Sequence, residues 1–338
     1  LLDDLKYIDS HDTLDMLGQA ARSCRALGES YRVPPVSCTS SNIIVTGNAR
    51  IQLAARIIQD VVPVSVPIEI LTNARLPSYV SASTLCIAQG YDEPAPQLAA
   101  MLGQAAERGA QICLLGSSLA SFEQAPIIIE FKGPSHPYVG LWQAIGGLME
   151  LLESISCIAA GSVAQLKAVL PELQEAADKW AATVAISANL AKQLANECIG
   201  TSVVIYAGPH VRSAAQRWKT GINELAHQLA WANEYPAFTN SELAGWTAQP
   251  IDKPYRVIEL HSNFDDAASH RQWAATKRLL SGRMPEPIIV QSTSSSPWAE
   301  LLQTCLLGDF VSIYLAVATG LQPGDRRIFE QYNKRMEE

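Results

Sequence analysis

The sequence predicts an α/β protein of two three-layer α/β/α domains, each built on a central parallel sheet. Three observations carry that prediction. Short apolar runs alternate with longer segments of helical spacing, the mark of parallel α/β architecture. Those runs are near-continuous rather than alternating, as expected of strands covered by helices on both faces. The succession of strand, glycine turn and helix over residues 42–61 also begins again at 201–232.

In the first half, Asn42–Gly47 reads as a strand ending in a turn, followed by a helix over 48–61 with Ile51, Ala54, Ile57 and Ile58 available to pack. Ile68–Leu71, Thr84–Ala88, Gln111–Leu115 and Ala125–Glu130 complete a five-stranded set, with a helix from Gln97 to Arg108. Helices over Tyr138–Cys157 and Gly161–Asp178 follow. Thr201–Gly208 repeats the first strand and its glycine, and one helix is expected from Val211 to Ala232. Arg256–Leu260 and Pro287–Gln291 are later strands. The expected divisions are an N-terminal helix (Thr13–Ala26) and linker over 1–40, a first domain over 41–159 and connecting helices over 160–195. A second domain over 196–320 and a C-terminal helix over 321–338 follow.

Composition narrows the function classes. The chain has 338 residues, 48% hydrophobic and 17% charged, with a net charge of −8. That is a well-filled interior without the basic footprint of a nucleic-acid binder, so no nucleic-acid partner is expected. Asp, Arg, Pro or Gln interrupts each apolar run, so no membrane span is expected. The first residues carry no signal-peptide core, and an opening leucine suggests that the sequence begins inside a longer one. The seven cysteines lack C-x-x-C spacing, so they read as buried thiols of a cytoplasmic protein, with neither metal site nor cofactor expected.

The most informative run is Leu306-Leu307-Gly308-Asp309-Phe310-Val311-Ser312, continuing to Gly320 and Pro323. Leu307, Phe310, Val311, Tyr314, Leu315 and Ala318 recur at helical spacing and predict an amphipathic helix. Gly320 stands where a left-handed cap is needed, and Pro323 prevents the helix from resuming. Next in information are Arg217-Trp218-Lys219-Thr220-Gly221-Ile222-Asn223-Glu224 and Pro236–Trp246. Together these segments resemble the bifunctional phosphoglucose/phosphomannose isomerases of the sugar isomerase (SIS) family. The resemblance implies SIS-type, flavodoxin-like domains, a homodimer with residues 236–246 of one subunit near the partner's cleft, and a sugar or sugar-phosphate ligand.

It also implies residue roles. Glu224 takes the place of the base that moves a proton between C1 and C2 of an open-chain sugar. Its own surroundings in sequence equally permit a surface carboxylate pairing with Lys219, Thr220 or His227. Asn240 stands where the family has a ring-opening histidine, and an amide cannot exchange that proton near neutral pH. His227 is one possible substitute. Tyr138 replaces an arginine that steadies the enediolate, and Lys334 resembles a C-terminal lysine that reaches the site. The phosphate cradle is altered as well. Gly47 is kept, but Asn48, Arg50 and Ile51 follow, with Ile51 in place of a serine. The second phosphate loop reads Gly90-Tyr91-Asp92-Glu93, where only Tyr91 is familiar and two carboxylates would oppose a dianion. The fold rule for open sheets directs attention to the turns after Val45, Ala88 and Ala207, and to a crevice between the halves. Three functions follow from these residues: a phosphosugar aldose–ketose isomerase, a catalytically degenerate sugar-derivative-binding or regulatory protein, and a structural SIS-fold subunit.

Overall fold

A computed structural model gives the fold. It describes residues 1–34, 40–73, 75–89, 96–116, 127–130, 136–248, 254–292, 294 and 296–337. The chain divides into two compact units. One is Arg22–Pro171, and the other joins Leu1–Ala21 to Glu172–Glu338.

The chain opens with α1 (Leu5–His11), whose first amides donate to the Asp4 carboxylate, and α2 (Met16–Ser23). The single helix expected over Thr13–Ala26 is therefore shorter, and a tighter 3₁₀ turn, Cys24–Gly28, completes it. Between α1 and α2, the Asp12 carboxylate accepts from the Met16 and Leu17 amides at 2.7 and 2.9 Å. Burial nevertheless pushes its pKa up to about 6. Asp3 accepts from the Ile186 amide and pairs with Lys192, whose fully buried ammonium also donates to the Ala182 and Val184 carbonyls. The chain start is thus fastened to residues 182–192.

The first α/β unit runs β1 (Asn42–Gly47), α3 (Ala49–Val61), β2 (Ile68–Ile70), β3 (Thr84–Gln89), α4 (Pro96–Glu107), β4 (Gln111–Gly116) and β5 (Ile127–Glu130). Its sheet has the order β2-β1-β3-β4-β5, every pair parallel. β3 is buried at all six positions, which is why its sequence is apolar from Leu85 to Ala88. α5 (Leu141–Ser154) and α6 (Ser162–Ala168) end the unit. Gly161–Asp178 is two helices rather than one, because Pro171 has no amide hydrogen to continue α6 into α7 (Leu170–Lys179).

The second unit continues through α8 (Leu190–Cys198), β6 (Ser202–Ala207), α9 (Arg212–Leu225), β7 (Ala230–Glu234), α10 (Ala237–Ser241) and α11 (Leu243–Thr247). β8 (Tyr255–His261), α12 (Ala267–Leu280), β9 (Ile288–Gln291), α13 (Pro297–Ala318) and α14 (Arg327–Glu337) follow. Its sheet order, β7-β6-β8-β9, repeats the order of the first four strands of the other sheet, again all parallel. The expected helix over Val211–Ala232 stops at Leu225, and the rest is a loop and an edge strand. His227 turns the chain at φ 50°, and the Asn223 side chain both accepts from the Ala230 amide and donates to its carbonyl. That bracket starts β7, the counterpart of β2.

α13 is the axis of the second unit. Nineteen of its 22 residues are buried, so it is buried on every side rather than amphipathic, with Glu300, Thr304, Asp309 and Ser312 as its buried polar groups. By length and hydropathy it could cross a bilayer, which the sequence reading had excluded, but it lies inside the unit. Gly308 allows the close approach of Trp218 on α9: a Cβ there would fall 2.3 Å from the indole. Trp218 Nε1 donates to the Thr304 carbonyl at 2.7 Å. The helix ends as the sequence predicts, with Gly320 at φ 75° and the Leu321 amide donating back to Ala316 at 2.9 Å.

Candidate active site

The phosphate-cradle position of the first unit lies where β1 meets α3. Gly47 has φ 119°, and a Cβ there would sit 2.8 Å from the Gln89 carbonyl oxygen, so only glycine fits. Asn48 caps α3: its Oδ1 accepts from the Arg50 and Ile51 amides at 3.0 and 3.3 Å. A helix N-terminus offers such amides to anions, and here a side chain of the same loop has taken two of them. Ile51 is fully buried in the unit's core, and Arg50 is half-buried. Gly90, Tyr91 and Asp92 lie outside the described residues. Beside the cradle, the Gln89 amide is buried, and among the described residues neither its oxygen nor its nitrogen has a hydrogen-bond partner. Sequence reading passed over it because one polar residue at a strand end carries no pattern. Tyr138 is 2% exposed in a short turn whose first amide is capped by His136.

The equivalent corner of the second unit is also filled from within. Gly208 follows β6, and a Cβ on it would collide with the Asp265 carboxylate, which accepts from the His210 amide at 3.3 Å. Asp265 Oδ2 is buried without a partner, and burial raises its pKa.

Glu224 is the penultimate residue of α9 and half-buried. Among the described residues nothing hydrogen-bonds or pairs with its carboxylate, and a carboxylate in the last turn gains nothing from the helix dipole. The pairing with a neighbour that its sequence allowed is not formed. Thr220 Oγ1 donates to the Gln216 carbonyl at 2.9 Å, and His227 Nε2 to the Asp325 carbonyl at 3.2 Å. His227 thereby fastens the loop after Glu224 to the segment that leads into α14, which carries Lys334 with its side chain exposed. It serves as a strut at that point. Within its unit, Glu224 lies toward the amino ends of β6 and β7, since Ala230 and Val203, at the start of those strands, pair in register beside it. The Gly208 turn follows the carboxyl end of β6, at the opposite end of the same strands, so these two candidates are not brought together.

Asn240 is exposed on α10. The segment around it is held by Glu242, whose carboxylate accepts from the Tyr206 hydroxyl and from Asn233 Nδ2, both at 2.6 Å. Trp246 Nε1 donates to the same Tyr206 oxygen at 2.9 Å, and burial with the Glu242 contact pushes the phenol pKa upward. Near the 236–246 segment, Tyr235, Phe238 and Trp246 fill the unit's own core with Trp273 and Tyr206, and Trp231 is exposed. The three buried aromatics are satisfied within the unit. The six described cysteines are buried and none of them forms a disulfide with another described residue, and burial pushes Cys86 to about 11 and Cys198 to about 12. No group of His, Cys, Asp and Glu among the described residues has metal-binding geometry.

Comparison with known proteins agrees with this architecture. Residues 187–336 match the bacterial phospho-glucose isomerase C-terminal SIS domain. A bifunctional phosphoglucose/phosphomannose isomerase of Caldicellulosiruptor bescii is 25% identical over 258 residues, covering 74% of this chain and 76% of that protein. The Thermoplasma acidophilum protein of that name is 23% identical over 303 residues, 88% of this chain and 90% of its own length. A glucose-6-phosphate isomerase like protein from Thermus thermophilus shares the fold with a TM-score of 0.65 and 20% identity, covering 97% of this chain and 98% of that one.

Proposed function

We propose, from the premise that this chain belongs to the SIS-domain sugar isomerase family, that it is an aldose–ketose isomerase of a phosphosugar with Glu224 as its base. The observation that carries the reading is the unengaged Glu224 carboxylate on a rigid helix, next to an asparagine and a histidine already committed to holding its loop. The relatives' names make glucose 6-phosphate and mannose 6-phosphate the first substrates to test. On the open-chain aldose, Glu224 would take the C2 proton while the C1 carbonyl oxygen becomes the enediolate oxygen. The O2 hydroxyl proton passes to O1, and returning the carbon-bound proton to C1 as the C2 carbonyl forms gives the ketose, so no redox partner is needed.

Turnover should be slow. Asn48 occupies amides that a phosphate would use, Ile51 is core, Asn240 cannot open the ring, and Tyr138 brings no positive charge. Loss of one preorganised donor costs roughly a hundredfold or more in rate. These same four features support a second reading, a sugar-derivative-binding protein that has lost its chemistry. Conversion of either hexose 6-phosphate to fructose 6-phosphate separates them: slow turnover abolished by Glu224→Gln supports the isomerase, and none at all supports the binder.

A cytoplasmic homodimer goes with this reading. The support for a second copy is a row of exposed apolar side chains, Ile328, Tyr332 and Met336, one turn apart along α14.

A further inference from the structure

The second unit has a cavity of about 400 Å³ against its edge strand β9, between α7 and α13. None of its lining residues belongs to α9 or β7, so it is separate from the Glu224 centre. Its walls combine three features. Trp180, half-exposed, is braced edge-on by Phe310 with ring centroids 5.8 Å apart, and its carbonyl accepts from Tyr314 at 2.7 Å. Two helical turns away along α7 and α13 runs a fixed polar relay: Ser292 Oγ donates to Gln303 Oε1, and Gln303 Nε2 donates to Glu172 Oε1, both at 3.1 Å. Glu172 Oε2 accepts from no described residue, and Gln303 retains a second amide hydrogen. The rim carries Glu175 paired with Lys179 at 2.8 Å, which with Glu172 leaves one net negative charge.

We propose that this cavity is a binding site for an unphosphorylated saccharide, a hexose or hexosamine unit. A sugar ring presents an apolar face of C–H groups to an indole and hydroxyls around its edge, which suits a cavity that combines an aromatic wall with acceptors of fixed orientation. The carboxylates accept from hydroxyls or an ammonium and oppose a phosphate dianion. The cavity therefore selects against the phosphosugars expected at Glu224. Because the relay is already hydrogen-bonded, little ordering is lost on binding, and a ligand of about twelve heavy atoms should bind with a dissociation constant on the order of 1 mM.

The test is saturation-transfer NMR and calorimetry on the full chain with glucose, glucosamine and glucose 6-phosphate. Glucose and glucosamine should bind, glucosamine at least as tightly, and glucose 6-phosphate at least tenfold more weakly at this site. Trp180→Ala and Glu172→Gln should each weaken glucosamine tenfold or more, while Glu224→Gln leaves it unchanged. Gln303→Ala serves as a second probe of the relay should Trp180→Ala unfold. Absence of sugar binding at concentrations well above 1 mM, binding indifferent to the Glu172 and Gln303 changes, or binding lost only in Glu224→Gln would overturn the proposal.

Discussion

Arg217 and Asp309 form a fully buried bidentate ion pair, Nε to Oδ1 at 2.7 Å and a terminal guanidinium nitrogen to Oδ2 at 3.1 Å. The two residues come from the two most informative segments of the sequence, and their contact locks α9 against α13. The helix that carries Glu224 is therefore fixed by a charge pair shielded from water.

Removing one partner of such a pair strands the other charge in the interior. Asp309→Ala should cost about 3–5 kcal/mol of folding stability, measured by urea denaturation. The double change Arg217→Met with Asp309→Leu should recover part of that loss, because no charge is then left buried. A double variant less stable than Asp309→Ala would contradict this account of the pair.

Gly47 offers a test of the β1 turn. Gly47→Ala puts a Cβ 2.8 Å from a backbone oxygen at a φ of 119°, so it should destabilise by more than about 1 kcal/mol. Gly161, also at positive φ but with open space around it, should lose less on the same change. Equal midpoint shifts in thermal unfolding for the two variants would remove the steric argument at Gly47.

Asp12 gives a pH dependence. Its folded pKa of about 6 lies above the ordinary carboxylate value of 3.8, so between these values the folded state holds more protons. Stability therefore falls as pH rises from about 4 to 6, by on the order of 1–3 kcal/mol from this group. Asp12→Asn should be the more stable form relative to wild type at pH 7, and lose that advantage near pH 4. A constant difference across the range, followed by denaturant titration, would show that Asp12 does not titrate as its burial requires.

The proposed homodimer is checked by light scattering at micromolar concentration, where twice the chain mass is expected. Ile328→Glu with Tyr332→Glu should shift the population to monomer. Monomer mass for the wild type would dispose of the dimer.

Much of this was legible in sequence, for identifiable reasons. β1, β3, β4 and β6 are built on runs of buried apolar residues and announce themselves, as does the buried centre of β8, while β9 shows itself by Ile288-Ile289-Val290 although only Val290 is buried. β7 was hidden because Ala230-Trp231-Ala232-Asn233-Glu234 is an edge strand with little β-propensity, and a side-chain bracket from Asn223 sets its start. α13 read as amphipathic because spacing cannot show that its other faces are buried too. At the site, the loss of family residues was visible, but their structural uses were not. Asn48 capping α3, Asp265 filling the Gly208 corner and Glu242 bridging Tyr206 and Asn233 all arise from contacts between residues adjacent in space or across strands.

The measurement that tests the central claim most directly is deuterium exchange at the sugar's reacting carbons. Fructose 6-phosphate and glucose 6-phosphate would be incubated with the full chain in D₂O and followed by NMR, which detects proton abstraction even when net isomerisation is slow. The account predicts slow deuterium incorporation at C1 of fructose 6-phosphate and at C2 of glucose 6-phosphate, abolished by Glu224→Gln and retained in Trp180→Ala. Incorporation that persists unchanged in Glu224→Gln, or none with the wild type, would contradict Glu224 as the base of an isomerase.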